Sequence, residues 1–223
     1  MSLVKDVLHP LSYAARNTTP LGNIVELTFS SLDGEAVVKS IIDSVKDNAS
    51  GAIGVFIGTT RDNFQGKTVV RLEYQAYTLL AMKTLSSTAD AACTASCLNI
   101  AESSVSEQNS VDPAYQHEHN QPSNRQIKCA IVHRLGDVPV GETSIVIAVS
   151  TPHRREAFEA CEWLLEEVKK KAQIWKREWY AGTEGGRSDG AIVAKDGAAV
   201  KMAGDPPPQS LWKANFPPKP HCG

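Results

Sequence analysis

The longest regular pattern of apolar residues in the chain lies between Thr151 and Glu178. Apolar side chains recur there at alternating spacings of three and four residues, which is the stripe that a helix turns toward a protein core. Thr151 can cap this helix and Pro152 can occupy its first turn. The pattern predicts one long, continuous helix that ends near Glu178 and is buried against another layer of the fold.

Shorter patterns before this helix indicate strands, several of them in hairpin-like pairs. The strand patterns cover residues 24–29, 51–58, 70–76, 127–133 and 144–149. The glycines of the segment 51–58 indicate that another part of the chain approaches it closely. Helical patterns follow at 33–45 and from 79 to 85. This order, without regular βαβ alternation, predicts an α+β fold with a largely antiparallel or mixed sheet covered by helices.

Changes in composition divide the chain into a main domain with appendages. Residues 1–22 are predicted to be a flexible leader, 23–180 the main domain, and 181–223 a loop-rich C-terminal extension. The segment 86–126 is rich in Ser, Thr, Asn and Gln, which is typical of a long polar insertion. An extra small β subdomain is also expected, and Asp196-Gly197 is a hairpin-turn signal.

Charge and cysteine content exclude several classes of protein. The 23 basic and 25 acidic residues give a net charge of -2, which argues against a general nucleic-acid binder. The chain also lacks an apolar run long enough to span a membrane. Its five cysteines have no framework spacing, so reduced thiols in a cytosolic protein are expected. Any anion-binding site must therefore be local.

Lys169 and Lys176 are the first candidates for chemistry. On a continuous helix, seven positions make nearly two turns, so both lysines would share one face at a separation of about 10 Å. They would lie at the edge of the apolar stripe among other cations, where a lowered pKa suits a lysine to act as an acid, base or nucleophile. Lysines at such edges also commonly extend into water, and the spacing leaves both interpretations open.

A second group of cations is suited to binding an anion. His153 and Arg154 fall in the first turn of the predicted helix, where free N–H groups and the helix dipole attract negative charge. Arg61 follows the glycine-bearing strand and carries a guanidinium that can bind a phosphate or carboxylate through two nitrogens. Each of these side chains is equally compatible with simple solvation.

Metal and nucleotide motifs are weak or missing in the sequence. His117-Glu118-His119, with Cys93 and Cys97 upstream, matches none of the usual zinc spacings. Neither a P-loop, a dinucleotide fingerprint nor a Ser-His-Asp set is found. We therefore expect neither a metal nor a cofactor.

Five segments, in this order, resemble the large, catalytic subunit of molybdopterin synthase. They read GAIGVFIGTTRD (51–62), LEYQAY (72–77), IVHRLG (131–136), TPHRREAF (151–158) and IWKRE (174–178). The resemblance covers roughly residues 23–85 and 127–180. It implies an α/β hammerhead-like fold and a sulfurtransferase of molybdenum-cofactor biosynthesis. Such an enzyme converts cyclic pyranopterin monophosphate to the dithiolene of molybdopterin, with sulfur from the C-terminal thiocarboxylate of a small ubiquitin-like subunit.

The resemblance also implies roles for individual residues. Lys169 and Lys176 correspond to the catalytic lysines of the family, and Arg61, His153 and Arg154 to its substrate-binding pocket. Trp212-Lys213 resembles the basic tail of family members, and the role of Lys213 remains open. The alternatives are a non-catalytic module that binds a phosphorylated ligand and an enzyme that forms a Schiff base through a lysine.

The implied pocket requires more than one chain. His153 and Lys169 are sixteen positions apart on one predicted helix, which separates their backbones by about 24 Å. This distance is too long for both to contact one pterin, and the segment 158–175 contains no Pro or Gly to break the helix. We therefore expect a two-fold homodimer with shared pockets, in which each chain binds one small subunit to give a heterotetramer.

Overall fold

The structure is a computed structural model that describes residues 11–93, 127–181 and 211–214. In these ranges the helices are α1 (Glu35–Ser44), α2 (Thr78–Cys93) and α3 (Arg154–Lys171). The strands are β1 (Ala15–Thr18), β2 (Ile24–Thr28), β3 (Ala52–Thr59), β4 (Asn63–Phe64), β5 (Lys67–Ala76), β6 (Lys128–Arg134), β7 (Gly136–Pro139), β8 (Thr143–Thr151), β9 (Ile174–Tyr180) and β10 (Leu211–Ala214). None of the described helices is long and apolar enough to cross a membrane.

The first sheet has five strands in the order β1-β2-β6-β8-β3. Only β2 and β6 pair in parallel among these strands. Successive side chains of a strand point to opposite faces, so Ile131 and Ile147 join the core under α2 and α3, whereas Val132 and Val146 join the core under α1. Strand β8 is buried along its whole length. The predicted mixed, largely antiparallel sheet covered by helices is confirmed.

Close packing of the start of α3, and of Pro152 just before it, explains Gly51 and Gly54 in and next to β3. A methyl group added at Gly54 would lie 2.7 Å from the Ala157 carbonyl oxygen, and one at Gly51 would lie 2.6 Å from that of Pro152. Real Cβ atoms do not come so close to backbone oxygens, so larger residues would push the helix away from the sheet. The close approach predicted from the sequence is therefore present, and α3 is the approaching element.

The second sheet consists of β10-β9-β5-β4, with β7 also paired to β5. Its inner face contributes Tyr74, Ala76, Val138 and Ile174 to the larger core. The extra β structure expected from the sequence is thus a sheet built from segments far apart in the chain. The turn signal at Asp196-Gly197 lies outside the described residues.

The predicted helix end near Glu178 is wrong. Helix α3 ends at Lys171, Ala172 has an extended backbone with φ -70° and ψ 136°, and β9 begins at Ile174. Ile174 and the aromatic residues after it favour strands, and β9 pairs with β5 along nearly all of its length. The helical spacing of apolar residues gave the wrong helix end because it continues through Ala172 and Trp175, although both residues lie beyond α3. Lys169 and Lys176 therefore do not share a helical face.

Two predicted boundaries also differ from the structure. Helix α2 continues to Cys93 and so includes the first eight residues of the segment 86–126. Although this stretch is polar in composition, Thr88, Ala89 and Ala92 are buried there. Strand β1 lies inside the predicted leader and pairs with β2. The structure does not describe residues 1–10, 94–126, 182–210 and 215–223.

Candidate active site

Lys169 lies in the last turn of α3, beside Lys170 and Lys171. Its ammonium nitrogen is 3.4 Å from the Glu166 Oε1 atom, and its side chain is 35% exposed. Cations at a helix C-terminus interact favourably with the helix dipole. Lys169 is thus an accessible basic side chain whose ion pair with Glu166 is long.

Lys176 lies three residues into β9, after the two-residue turn formed by Ala172 and Gln173. Its ammonium nitrogen is 3.0 Å from Glu178 Oε1, and the exposed fractions of the two side chains are 24% and 4%. The Tyr180 hydroxyl donates a hydrogen bond to Glu178 Oε2. Because alternate strand residues share a face, these three side chains are aligned along the inner face of β9. The buried carboxylate holds the Lys176 ammonium in place.

Neutral aromatic groups lie next to this ion pair. Tyr74 on β5 is directly opposite Lys176, and its ring contacts the ring of His133 edge-on at a centroid distance of 4.8 Å. Burial, together with the charge of Glu178, raises the pKa of Tyr74 to about 12. Burial lowers the pKa of His133 to about 4. Both groups are therefore uncharged near neutral pH, and Glu178 is the carboxylate that balances Lys176.

The outer face of the same strands carries a second charged cluster. Glu73 is buried and accepts a hydrogen bond of 3.1 Å from Trp179 Nε1. An Arg177 guanidinium nitrogen lies 3.6 Å from the same carboxylate. The guanidinium of Arg71 stacks 4.3 Å from the centroid of the Trp179 ring. The cluster stiffens the sheet that carries Lys176.

The sequence patterns did not indicate Glu178 or Glu73 as parts of the site. Once residues 174–180 are recognised as a strand, the spacing of two between Lys176 and Glu178 places both on one face. Glu73 lies directly opposite Arg177 in the β5–β9 register. The spacing that places Lys176 and Glu178 on one face was therefore present in the sequence. It was missed because this segment was assigned to a helix.

The predicted anion-binding residues His153 and Arg154 lie at the other end of α3. His153, and not Thr151, occupies the N-cap position, and the helix begins at Arg154. The Thr151 hydroxyl instead donates to the His153 carbonyl oxygen at 2.8 Å. Helix α3 is continuous over 18 residues, so His153 remains about 24 Å from Lys169 along the axis. One chain does not bring these groups together.

Arg61 is exposed in the loop that follows β3. This loop is fixed on both sides, because Thr60 O accepts from Gly141 N at 2.9 Å and Asp62 O accepts from Val69 N at 2.7 Å. Val69 is five residues from Tyr74, the strand partner of Lys176, which corresponds to about 17 Å along β5. Arg61 therefore lies toward the opposite end of the second sheet from Lys176.

No group of three or more His, Cys, Asp or Glu side chains in the described part of the chain is arranged to hold a metal ion. Cys97 and His117-Glu118-His119 lie outside the described residues.

The architecture and the lysines around the α3–β9 turn define an α+β protein with a candidate cationic active site. The MoaE protein family model matches residues 31–171, and the chain belongs to this family. It is 40% identical over 163 residues to the molybdopterin synthase catalytic subunit 1 of Aedes aegypti, covering 73% of this chain and 85% of the relative. It is 39% identical over 147 residues to the molybdopterin synthase catalytic subunit of Arabidopsis thaliana, covering 66% of this chain and 60% of the relative.

A solved structure agrees with these relatives. The molybdopterin synthase from Staphylococcus aureus superposes with a TM-score of 0.51 at 25% identity, and the match covers 74% of this chain and 95% of that chain. The enzyme class predicted from the sequence, a molybdopterin synthase catalytic subunit, is confirmed.

Proposed function

We propose that the chain converts cyclic pyranopterin monophosphate to molybdopterin, taking sulfur from the C-terminal thiocarboxylate of a small ubiquitin-like subunit. The observation that carries this proposal is the pair of lysines on either side of the α3–β9 turn, in a chain that belongs to the MoaE family. Lys169 is the accessible cation, and Lys176 is held by the buried Glu178. The two lysines thus differ in side-chain exposure and in the burial of the carboxylate that pairs with each.

This difference suits the two requirements of sulfur transfer. Attack by a thiocarboxylate sulfur displaces oxygen from the substrate, so the reaction needs a proton donor and a fixed positive charge near the leaving oxygen. Lys169 serves the first need as the acid/base or covalent residue. Lys176 serves the second, because a preorganised ammonium does not have to reorient when negative charge develops.

The small subunit docks beside this turn in our proposal. Tyr77, Leu79 and Leu80 at the start of α2 are exposed, Leu79 by 66%. The Tyr77 amide donates to the Gln173 carbonyl oxygen at 3.1 Å, so this apolar surface borders the turn between the two lysines. Clustered exposed apolar side chains are typical of a protein interface. A subunit bound here can extend its C-terminal tail to Lys169.

A homodimer completes the pocket. Because α3 is unbroken, the phosphate-binding His153 and Arg154 reach the lysines only from a second copy of the chain. Two features support such pairing: β3 is an edge strand with exposed Val55 and Ile57, and Phe158 on α3 is 67% exposed. With one small subunit for each chain, the assembly is a heterotetramer. We also assign the enzyme to the cytosol.

Reconstitution tests the proposed activity. The full chain is mixed with a thiocarboxylated small subunit and cyclic pyranopterin monophosphate, and dithiolene formation is measured. We expect turnover that depends on the thiocarboxylate. Binding of the pterin without any dithiolene, under saturating small subunit, would favour the non-catalytic binding module instead. Borohydride trapping of a lysine adduct with a carbonyl substrate, without need for the small subunit, would favour the Schiff-base enzyme.

A further inference from the structure

Two thiols meet where the C-terminal end of α2 packs on β6. Cys93 is the last residue of α2, and Cys129 is the second residue of β6. The sulfur atoms of Cys93 and Cys129 lie 3.4 Å and 3.6 Å from the same carbonyl oxygen, that of Ala89. The two thiols are close enough that each alters the pKa of the other. Both cysteines are free in the structure.

Asn23 orients this pair. Its side-chain nitrogen donates to the Cys93 sulfur at 3.1 Å, and its side-chain oxygen accepts from the Cys129 amide at 2.9 Å. The hydrogen bond from Cys129, with a contribution from Asn23, lowers the pKa of Cys93, whereas the nearby charge of Asp90 acts in the opposite direction. The hydrogen bond to Cys93 and burial raise the pKa of Cys129.

The two thiols therefore differ in reactivity. Cys93 is half-buried, so a small reagent can reach it, and its environment favours the thiolate that attacks disulfides. Cys129 is buried directly beside it. The third described thiol, Cys161, is buried as well, and burial raises its pKa to about 11, so it is a poor competitor for attack.

We propose that Cys93 and Cys129 are a reversible redox pair that forms an intramolecular disulfide in the presence of a low-molecular-weight disulfide such as oxidised glutathione. The Cys93 thiolate attacks one glutathione sulfur, a mixed disulfide forms and one glutathione thiolate leaves. Cys129 then loses its proton and attacks the Cys93 sulfur, which releases the second glutathione. Two protein thiols are oxidised, and one glutathione disulfide is reduced to two thiols.

The disulfide would join the end of α2 to the first sheet. The same helix contacts the candidate active site near its middle, where Thr84 Oγ1 donates to Gln173 Oε1 at 3.0 Å. The redox state of the pair is thus connected through one helix to the turn between the two lysines. This modification site is independent of the proposed sulfur transfer.

Peptide mapping of the full chain tests the proposal. The reduced protein is incubated in buffers of increasing oxidised-to-reduced glutathione ratio, quenched with acid, alkylated, digested and analysed by mass spectrometry. We expect a peptide that links Cys93 to Cys129, loss of two reactive thiols per chain, and full reversal by dithiothreitol. Pairing of Cys93 with Cys97, a glutathione adduct that persists on Cys93, or five free thiols at every ratio would overturn it.

Two variants sharpen the test. Cys129→Ser removes the resolving thiol, so Cys93 should stop at the mixed disulfide with glutathione. Cys161→Ser is the matched control, because it removes a neighbouring buried thiol and should still form the Cys93–Cys129 link. If Cys129→Ser does not fold, the peptide map of the unaltered chain decides the matter by itself.

Discussion

At the scale of single residues, Lys169 and Lys176 differ in what surrounds their ammonium groups. Lys169 makes one long ion pair at the end of a helix, whereas Lys176 is held on a strand by a buried carboxylate. An accessible ammonium can transfer protons, and a fixed ammonium can stabilise developing charge. The roles we propose follow from these environments and not from the shared residue type.

We expect Lys169→Ala to abolish dithiolene formation without loss of structure, because the side chain is partly exposed and not part of the core. Lys176→Ala should be severely impaired. Lys170→Ala is the matched control, since Lys170 lies in the same helical turn and pairs with Glu167 at 3.8 Å; it should remain active. Turnover is measured at saturating small subunit, with circular dichroism to verify folding. Near-normal turnover of Lys169→Ala would falsify its catalytic role.

Glu178→Gln should lower kcat by roughly tenfold or more, because a charge-assisted contact that holds Lys176 is removed. Glutamine keeps the size of the side chain, so the sheet should remain intact. Glu167→Gln is the control, since Glu167 pairs with Lys170 and Lys171 at the surface of α3. Steady-state kinetics of both variants are compared with the unaltered chain, and equal kcat values for all three would contradict the positioning role of Glu178.

The buried His133 should make stability depend on pH. Its pKa falls from 6.5 to about 4 on folding, so the folded protein binds fewer protons between these values, and stability decreases as pH falls through this range. Between pH 7 and pH 5 this histidine should account for a loss of about 2 kcal/mol in the free energy of unfolding. Urea denaturation at both pH values checks this. His133→Gln should show a smaller difference between them; an unchanged difference would contradict the assignment.

At the scale of elements, the end of α2 and the start of β6 bound the predicted polar insertion. The Cys93 sulfur lies 3.0 Å from the Ile127 carbonyl oxygen, so residues 93 and 127 are adjacent in space. The last turn of α2 is itself part of the packing, because Asp90 accepts hydrogen bonds from Thr19 and from Asn23. The useful boundary for a deletion is therefore after Cys93.

Replacing residues 95–125 with a short Gly/Ser linker should preserve both folding and activity, because the two ends are adjacent and the removed segment is polar and low in complexity. Thermal unfolding and the dithiolene assay provide the measurements. A deletion that starts at residue 90 instead removes Asp90 and Cys93, and should be clearly less stable. A stable 95–125 deletion that binds both partners but does not turn over would contradict the expectation.

At the scale of the whole molecule, the distance between the two ends of α3 supports the proposal of a site shared between two chains. Helix α3 is continuous, and a small phosphorylated pterin cannot contact both ends of a 24 Å segment, a length that follows from about 1.5 Å per residue. In the proposed two-fold dimer, opposite ends of two helices meet in each pocket. We therefore expect activity to depend on the assembly.

Mixing an inactive Lys169→Ala chain with an inactive Arg154→Ala chain should restore part of the activity, because each mixed dimer then contains one intact pocket. The control mixture combines Lys169→Ala with Lys176→Ala. Both of its pockets lack one lysine, so this mixture should be no more active than the Lys176→Ala chain by itself. Dithiolene formation is measured after mixed dimers have been verified by native mass spectrometry. Failure to complement in such dimers, or a fully active monomer, would refute the shared pocket.

The class of fold, the close approach at Gly51 and Gly54, and the family were all predictable from the sequence, whereas the catalytic role of Lys169 and Lys176 stays a prediction. These features depend on local periodicity, on the space available at a glycine and on the order of short motifs. The end of α3 followed only from the tertiary structure, because the pairing of β9 with β5 overrides an apolar spacing that continues past Lys171. The same pairing places Lys176 opposite Tyr74. A contact between segments about a hundred residues apart, such as this one, leaves no periodic signal in the chain.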